Sequence, residues 1–136
     1  MNVESSKPES PPAAIDRLLH AARERIAPRA GVPDLQMVRD AGGLVIDTRF
    51  AAQRERDGAL PGAIVIERNH LEWRLDPTSP HCIAEVTGAD QAMILVCDEG
   101  YSSSLAAATL RDLGLTNVTD LDGGYQAWLT SRATDS

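Results

Sequence analysis

The chain alternates short unbroken runs of apolar residues with longer stretches in which apolar residues recur every three or four positions. The short runs are typical of buried strands, and the spaced pattern is typical of helices that pack one face. Strands are predicted in this way at 44–47, 63–66, 93–96 and 118–121. Helices are predicted at 13–25, 33–40, 67–75, 103–113 and 125–129. Strands that alternate with helices imply an α/β fold with a mostly parallel sheet covered on both faces.

The first predicted helix, 13–25, stands apart from the strand–helix series that follows it. Its apolar side chains recur at helical spacing, and Pro28 ends the pattern. We expect this N-terminal helical extension to pack on its own domain rather than on a partner. Residues 1–12 are rich in proline with little to bury, which predicts a disordered tail. The domain itself is predicted over 26–131, with 132–136 as a C-terminal tail. The apolar positions of the helix are Ile15, Leu18, Leu19, Ala22 and Ile26.

Polar and reactive side chains follow two of the predicted strands. Asp47 and Arg49 lie at the end of the first strand, and Cys97 directly follows the third. Parallel sheets bind ligands at the carboxyl ends of their strands, so this edge is the expected site. We expect Asp47 and Arg49 to pair with each other or with a neighbour and so to support the site. Trp73 and Trp128 are predicted to be core residues.

The segment after the third strand has the composition of an anion-binding loop. Cys97 ends the strand, Gly100 permits a sharp turn, and a run of serines opens an Ala/Leu-rich helix. Such a turn points backbone N–H groups into one small bowl above a helix N-terminus, which favours the thiolate form of a cysteine. The serines at 102 and 103 either donate their hydroxyls to the bowl or cap the helix. The alternative for Cys97 is a buried structural cysteine.

Composition narrows the classes of partner. With 136 residues the chain is long enough for one domain with a real core. A net charge of −7 argues against nucleic acid and anionic membranes as partners. No apolar run reaches the length of a membrane span, and the polar N-terminus predicts a cytoplasmic protein. Cys82 and Cys97 form no metal-ligand spacing, so neither a metal nor another cofactor is expected, and a structural disulfide is not expected either.

Five stretches follow one another along the chain at 45–49, 58–63, 97–103, 106–114 and 121–128, and the last contains the Gly-Gly-x-x-Ala-Trp sequence. Together they resemble a single-domain rhodanese-type sulfurtransferase. The resemblance implies a rhodanese-like three-layer α/β/α fold with a central, mostly parallel sheet, in which Cys97 is the nucleophile and carries sulfur as a persulfide. The active-site loop implied by the resemblance runs from Asp98 to Ser103, through Glu99, Gly100, Tyr101 and Ser102.

The resemblance implies transfer of a sulfane sulfur from thiosulfate or another persulfide donor to cyanide or a thiol acceptor. The expected partners are therefore small sulfur donors and acceptors, with a protein persulfide as a further donor or acceptor. Loop N–H groups would hold the persulfide's negative charge as an oxyanion hole holds oxygen. The alternative is a rhodanese-like module that carries sulfur, senses oxidation or binds a protein without turnover.

The loop departs from the family pattern in its charges. Many relatives carry a basic residue where this chain has Ser102, and here Asp98 and Glu99 are negative. Thiosulfate is therefore expected to be a poor donor. A phosphatase of the cell-cycle type would need an arginine after five intervening residues, where Ser103 stands, and no arginine follows before Arg111.

Three more residues are expected to lie outside the chemistry. Arg68 and Arg74 are predicted to form salt bridges on a surface face. Cys82, which follows a Pro-His pair, is expected to be a bystander rather than a resolving thiol.

Overall fold

A computed structural model describes residues 10–134 of the chain. Most of the predicted disordered tail, and residues 135–136 of the predicted C-terminal tail, lie outside the described residues. Residues 10–12 are exposed and have no regular secondary structure. Among the helices that the structure describes, none is long and apolar enough to cross a membrane.

Four strands form one sheet in the order β2-β1-β3-β4, and all neighbouring pairs are parallel. The register places Ile46 beside Ile64 and Leu95, and places Leu95 beside Asp120. The strands are β1 (Leu44–Asp47), β2 (Ile64–Val65), β3 (Met93–Val96) and β4 (Val118–Asp120). The predicted α/β class and parallel sheet are confirmed.

Helices cover both faces of this sheet and enclose two hydrophobic cores. Ile46 and Leu95 point into the core shared with α1, α4 and α5, whereas Val45 and Ile94 point into the core shared with α2 and α6. Strands that are buried on both faces read as continuous apolar runs, which is why the short runs predicted them. The helices are α1 (Ala14–Ile26), α2 (Val32–Asp40), α3 (Ala51–Asp57), α4 (Leu71–Leu75), α5 (Ser102–Leu113) and α6 (Gly124–Thr134), with a 3₁₀ turn at Arg68–His70.

Helix α1 packs on the same chain, as predicted, but only through part of its apolar pattern. Ala22 and Ile26 are buried, whereas Ile15 and Leu18 are more than half exposed. The helix ends at Ile26, ahead of Pro28, since the residue before a proline is biased away from helical geometry. The helix lies against α5, and Arg23 near its C-terminal end reaches the carbonyl of Gly100 in the predicted loop.

Three other segments differ from the sequence prediction. Helix α3 buries none of its residues, so no apolar period marked it. Trp73 is 59% exposed, and the prediction that it is a core residue was wrong, because Leu71 and Leu75 form the buried face of α4 and Trp73 lies between them on the other side. Trp128 packs partly buried against the second core. Helix α6 continues to Thr134, so residues 132–134 extend that helix.

Candidate active site

The predicted site residues meet at the carboxyl edge of the sheet. Cys97 follows β3, and Asp47 ends the neighbouring strand β1. A cavity of about 520 Å³ opens at this edge, and Cys97, Thr48 and Ser102 are among the residues that line it. The structure therefore brings the ends of β1 and β3 together at one cavity.

The loop after β3 is built on close backbone contacts with the Gly123-Gly124 turn. Gly100 has a φ of +87°, and a Cβ placed there would lie 2.8 Å from the backbone N of Gly123. A Cβ on Gly124 would lie 2.6 Å from the carbonyl O of Cys97. Just beyond the turn, the N–H of Tyr125 donates to that same carbonyl at 2.8 Å. The Gly-Gly sequence is therefore required by the close approach of α6 to the loop.

The Cys97 sulfur lies at the base of this loop, and the residue as a whole is 7% exposed. It accepts the backbone N–H of Gly100 at 3.1 Å and that of Ser103 at 3.4 Å, and the Ser103 hydroxyl oxygen lies 3.1 Å away. Burial acts to raise the pKa of the Cys97 thiol, but hydrogen bonds from Ser103, Ser102 and the loop amides outweigh burial, and the pKa is lowered. The expected thiolate-favouring bowl is present around the sulfur.

The serines at the start of α5 act through their hydroxyls rather than as caps. Tyr101 occupies the N-cap position, and no side chain caps the helix. Ser103 is fully buried, and its hydroxyl donates to Asp120 at 2.7 Å. Neither serine caps the helix, and the Ser103 hydroxyl donates to Asp120 while its oxygen lies 3.1 Å from the sulfur. Tyr101 itself is 60% exposed at the rim of the cavity.

Asp120 is a buried residue of the site that the sequence reasoning missed. It ends β4, is fully buried, and accepts hydrogen bonds from Ser103, Ser104 and Arg29. The signal was available, because Asp120 closes an apolar strand in the same way as Asp47 does. Arg29 and Arg23 were also missed: each donates to the carbonyl of Gly100, at 2.9 and 2.7 Å.

The two loop carboxylates have different surroundings. Asp98 is half-buried and accepts from Gln126 at 3.0 Å, with Arg56 at 3.5 Å. Glu99 is exposed, and no ion pair to it is present among residues 10–134. Both residues line the cavity. The negative charge beside the sulfur is thus partly balanced at Asp98 and unbalanced at Glu99.

Asp47 and Arg49 form a buried ion pair, which confirms the expected pairing. The Arg49 guanidinium donates to both carboxylate oxygens, at 3.0 and 2.8 Å, and to the carbonyl of Gly58 at 2.9 Å. The flat face of the guanidinium stacks on the Tyr125 ring, with Cζ 3.6 Å from the ring centroid. The pair therefore ties β1 to the α3–β2 connection and to α6, behind the cavity.

Arg68 and Arg54 also lie within ion-pair distance of carboxylates. Arg68 lines the cavity and forms an ion pair with Glu72 at 3.0 Å, as the surface prediction expected. Arg54 lies 3.7 Å from Glu67. Arg74 is absent from the lining of the cavity and donates instead to the carbonyl of His81.

Cys82 lies apart from this site. It is absent from the lining of the cavity that contains Cys97. Burial and the nearby charge of Asp76 raise the pKa of the Cys82 thiol, which disfavours the reactive thiolate. In the part of the chain that the structure describes, no group of three His, Cys, Asp or Glu residues could hold a metal ion.

Comparison with known proteins gives consistent matches. The family model of the rhodanese-like domain matches residues 34–131. The thiosulfate sulfurtransferase GlpE of Pseudomonas fluorescens (strain Pf0-1) is 32% identical over 96 residues, which cover 71% of this chain and 79% of that protein.

Two solved structures share the fold over most of their length. A human single-domain sulfurtransferase is 26% identical with a TM-score of 0.64, covering 76% of this chain and 96% of that one. A protein of unknown function from Rhodopseudomonas palustris CGA009, described as a possible tyrosine phosphatase, is 29% identical with a TM-score of 0.77, covering 93% of this chain and 97% of that one.

Proposed function

The chain belongs to the rhodanese-like domain family of sulfurtransferases, and we propose that it transfers a sulfane sulfur through a persulfide on Cys97. The observation that carries this proposal is the sulfur of Cys97, held at a strand end by the backbone N–H groups of Gly100 and Ser103, with the Ser103 hydroxyl oxygen 3.1 Å away. These N–H groups stabilise a sulfur anion. They lie between the end of β3 and the N-terminus of α5, where the helix dipole is positive.

The reaction has two displacement steps. The Cys97 thiolate attacks the outer sulfur of the donor, a new S–S bond forms, and the donor's own S–S bond breaks. Thiosulfate would leave as sulfite, and a persulfide donor would leave as its thiolate. A thiolate acceptor or cyanide then attacks the terminal sulfur of the Cys97 persulfide, which restores the Cys97 thiolate and forms a new persulfide or thiocyanate.

The loop charges favour a donor other than thiosulfate. Of the arginines that line the cavity, Arg49 is paired with Asp47 and Arg68 with Glu72, and Ser102 is neutral. Glu99 adds an exposed, unbalanced negative charge at the mouth of the cavity. Because thiosulfate is a dianion, this mouth repels it, and we expect a neutral or protein-borne persulfide to load Cys97 more readily. Persulfide chemistry requires reduced thiols, which favours the cytoplasm as the site of action.

The proposed function is tested by intact mass after incubation with thiosulfate and, separately, with an organic persulfide. Gain of one sulfur atom, lost again on addition of cyanide with release of thiocyanate, is the expected result. No gain with either donor would contradict the proposal. Stoichiometric loading without release to any acceptor would instead favour a sulfur-carrier or sensor module, the second candidate that the low exposure of Cys97 supports.

A phosphatase activity is not favoured by this loop. Five residues lie between Cys97 and Ser103, so Ser103 stands where the arginine of a cysteine phosphatase would be. The Ser103 side chain is buried against Asp120 and the Cys97 sulfur. A cysteine phosphatase needs a bidentate guanidinium at that place to hold the phosphoryl oxygens.

A further inference from the structure

A buried chain of hydrogen bonds runs from the Cys97 sulfur to a charged pair beneath the loop. The Ser103 hydroxyl lies 3.1 Å from the sulfur and 2.7 Å from Oδ2 of Asp120. The same Oδ2 accepts the Ser104 hydroxyl at 2.7 Å and Nη2 of Arg29 at 3.1 Å, and Oδ1 accepts Nε of Arg29 at 2.8 Å. Asp120 and Ser103 are both fully buried, so water cannot replace these partners.

A serine hydroxyl carries a single proton, and two acceptors compete for the proton of Ser103. When Cys97 is a neutral thiol, its S–H donates to the Ser103 oxygen, and the Ser103 proton points to Asp120. When Cys97 is a thiolate or a persulfide anion, the sulfur has no proton and needs a donor instead. The Ser103 proton can then turn to the sulfur, because Asp120 retains its bonds from Ser104 and Arg29.

We propose that Ser103 and Asp120 form a hydrogen-bond switch beneath Cys97, in which Asp120 is a positioning residue that holds the Ser103 proton until the sulfur becomes anionic. The switch itself rests on this geometry alone, and its role in sulfur transfer rests on the proposed function. No proton passes to Asp120: the thiol proton leaves to solvent, and the O–H bond of Ser103 only rotates.

The charged groups around Asp120 are Arg29, in direct contact, with Asp122 and Arg23 one contact further away. Burial acts to lower the pKa of Arg29, but the hydrogen bond and charge of Asp120 outweigh burial, and the Arg29 pKa is raised. Arg29 also contacts Asp122 at 3.1 Å, and Arg23 of α1 reaches Ser104 at 3.1 Å.

The loop carboxylates lie outside the switch. Asp98 is bound to Gln126 and lies near Arg56, and Glu99 is exposed. Neither is within hydrogen-bond distance of Ser103 or Asp120 among the described residues.

The test measures the midpoint of Cys97 alkylation against pH in four purified full-length variants. Asp120→Asn removes the charge and supplies an N–H that can donate to Ser103, so the midpoint is expected to fall by about one pH unit. Ser103→Ala removes the proton that the anion uses, so the midpoint is expected to rise by about one unit.

The double variant and a control separate the hydrogen bond from the charge of Asp120. Added to Ser103→Ala, Asp120→Asn is expected to lower the midpoint by less than half as much as it does in the wild type, since its route through Ser103 is gone. Ser104→Ala is the matched control: it is buried and bonded to Asp120, but it does not contact the sulfur, so any rise should be much smaller than that of Ser103→Ala.

Several outcomes would overturn the switch. A midpoint that is unchanged or raised by Asp120→Asn would leave Asp120 a structural residue, and an equal shift with and without Ser103 would reduce its effect to charge alone. If Asp120→Asn fails to fold, equal midpoints in Ser103→Ala and Ser104→Ala overturn the proposal without it. Intact mass after donor treatment separates the two proposals, because midpoint shifts with no persulfide in any variant would contradict sulfur transfer and leave the switch standing.

Discussion

At the scale of single residues, the two cysteines differ in the direction of their pKa shifts and in their position relative to the cavity. Cys97 has a lowered pKa and lines the cavity, whereas the pKa of Cys82 is raised and it lies elsewhere. We therefore predict that Cys97→Ser abolishes the gain of one sulfur atom by intact mass and that Cys82→Ser, the matched control, leaves it largely intact. Loss of loading in the Cys82 variant alone would reassign the sulfur carrier.

The lowered pKa of Cys97 also predicts two pH dependences with a defined sign. Alkylation should have a midpoint below about 8.5, the value of a free thiol, because the loop donors favour the anion.

Since the folded-state pKa lies below the unfolded one, the unfolded chain binds more protons between the two values, and stability rises with pH there. The thiolate contribution is fully present above about pH 8.5 and is lost as the pH falls through the folded-state value. Wild type should gain stability relative to Cys97→Ser across this window in urea unfolding, and a flat difference would contradict the shift.

At the scale of elements, the turn from β4 into α6 holds the active-site loop by contact with its backbone. Gly124 has a φ of +62°, and a Cβ there would lie 2.6–2.7 Å from the carbonyl O of Cys97, the carbonyl O of Asp98 and the N of Gly100. We predict that Gly124→Ala destabilises the fold by about 3 kcal/mol and slows persulfide formation. Gly114→Ala is the control for backbone strain alone, since Gly114 has a φ of +113° with no atom within 4 Å of its Cβ position, and it should cost about 1 kcal/mol. Equal losses in thermal or urea unfolding would mean that the contact with the loop is unimportant.

The loop's charge pattern makes a separate prediction about the donor. Glu99 is exposed and unbalanced, whereas Asp98 is bound to Gln126 and lies near Arg56. Glu99→Gln should therefore lower the KM for thiosulfate by about two- to threefold at low salt, and Asp98→Asn should lower it by less. In high salt, neither substitution should change this KM. Ser102→Arg should lower this KM further by supplying a cation. The KM for a neutral persulfide is the control and should not change, and an unchanged thiosulfate KM in all three variants would mean that loop charge does not select the donor.

Much of the fold and part of the site followed from the order of apolar runs. Strands β1 and β3 were predictable because they are buried on both faces, and Cys97, Asp47 and Arg49 were found because they stand at strand ends. Helix α3 was missed because it buries no residue, and Trp73 was misplaced because α4 is only five residues long. Arg23 and Arg29 are 77 and 71 positions before Gly100, and local sequence patterns carry no signal for hydrogen bonds over such separations.

At the scale of the whole molecule, helix α1 is joined to the active-site loop although it precedes the region matched by the family model. Arg23 donates to the carbonyl of Gly100 at 2.7 Å and to the Ser104 hydroxyl at 3.1 Å, and its guanidinium lies 5.4 Å from the centre of the Tyr101 ring. No ion pair to Arg23 is present among residues 10–134, so its whole charge is directed at the loop. The N-terminal extension is therefore part of what holds the N–H of Gly100 toward the sulfur.

We predict that Arg23→Gln slows persulfide formation about fivefold, since loss of roughly 1 kcal/mol of loop ordering changes a rate by that factor. Arg25→Gln is the matched control, because Arg25 lies on the same helix and also contacts α5, but through an ion pair with Asp112 in which both side chains are exposed. An exposed pair contributes about 0–1 kcal/mol to stability, so the control should lower the Tm slightly and leave the rate unchanged. The measurements are single-turnover loading by mass spectrometry and thermal unfolding of both variants. If the two variants lose equal stability and neither changes the loading rate, α1 only packs on the domain. If only Arg23→Gln is slow, the helix acts on the chemistry through the carbonyl of Gly100.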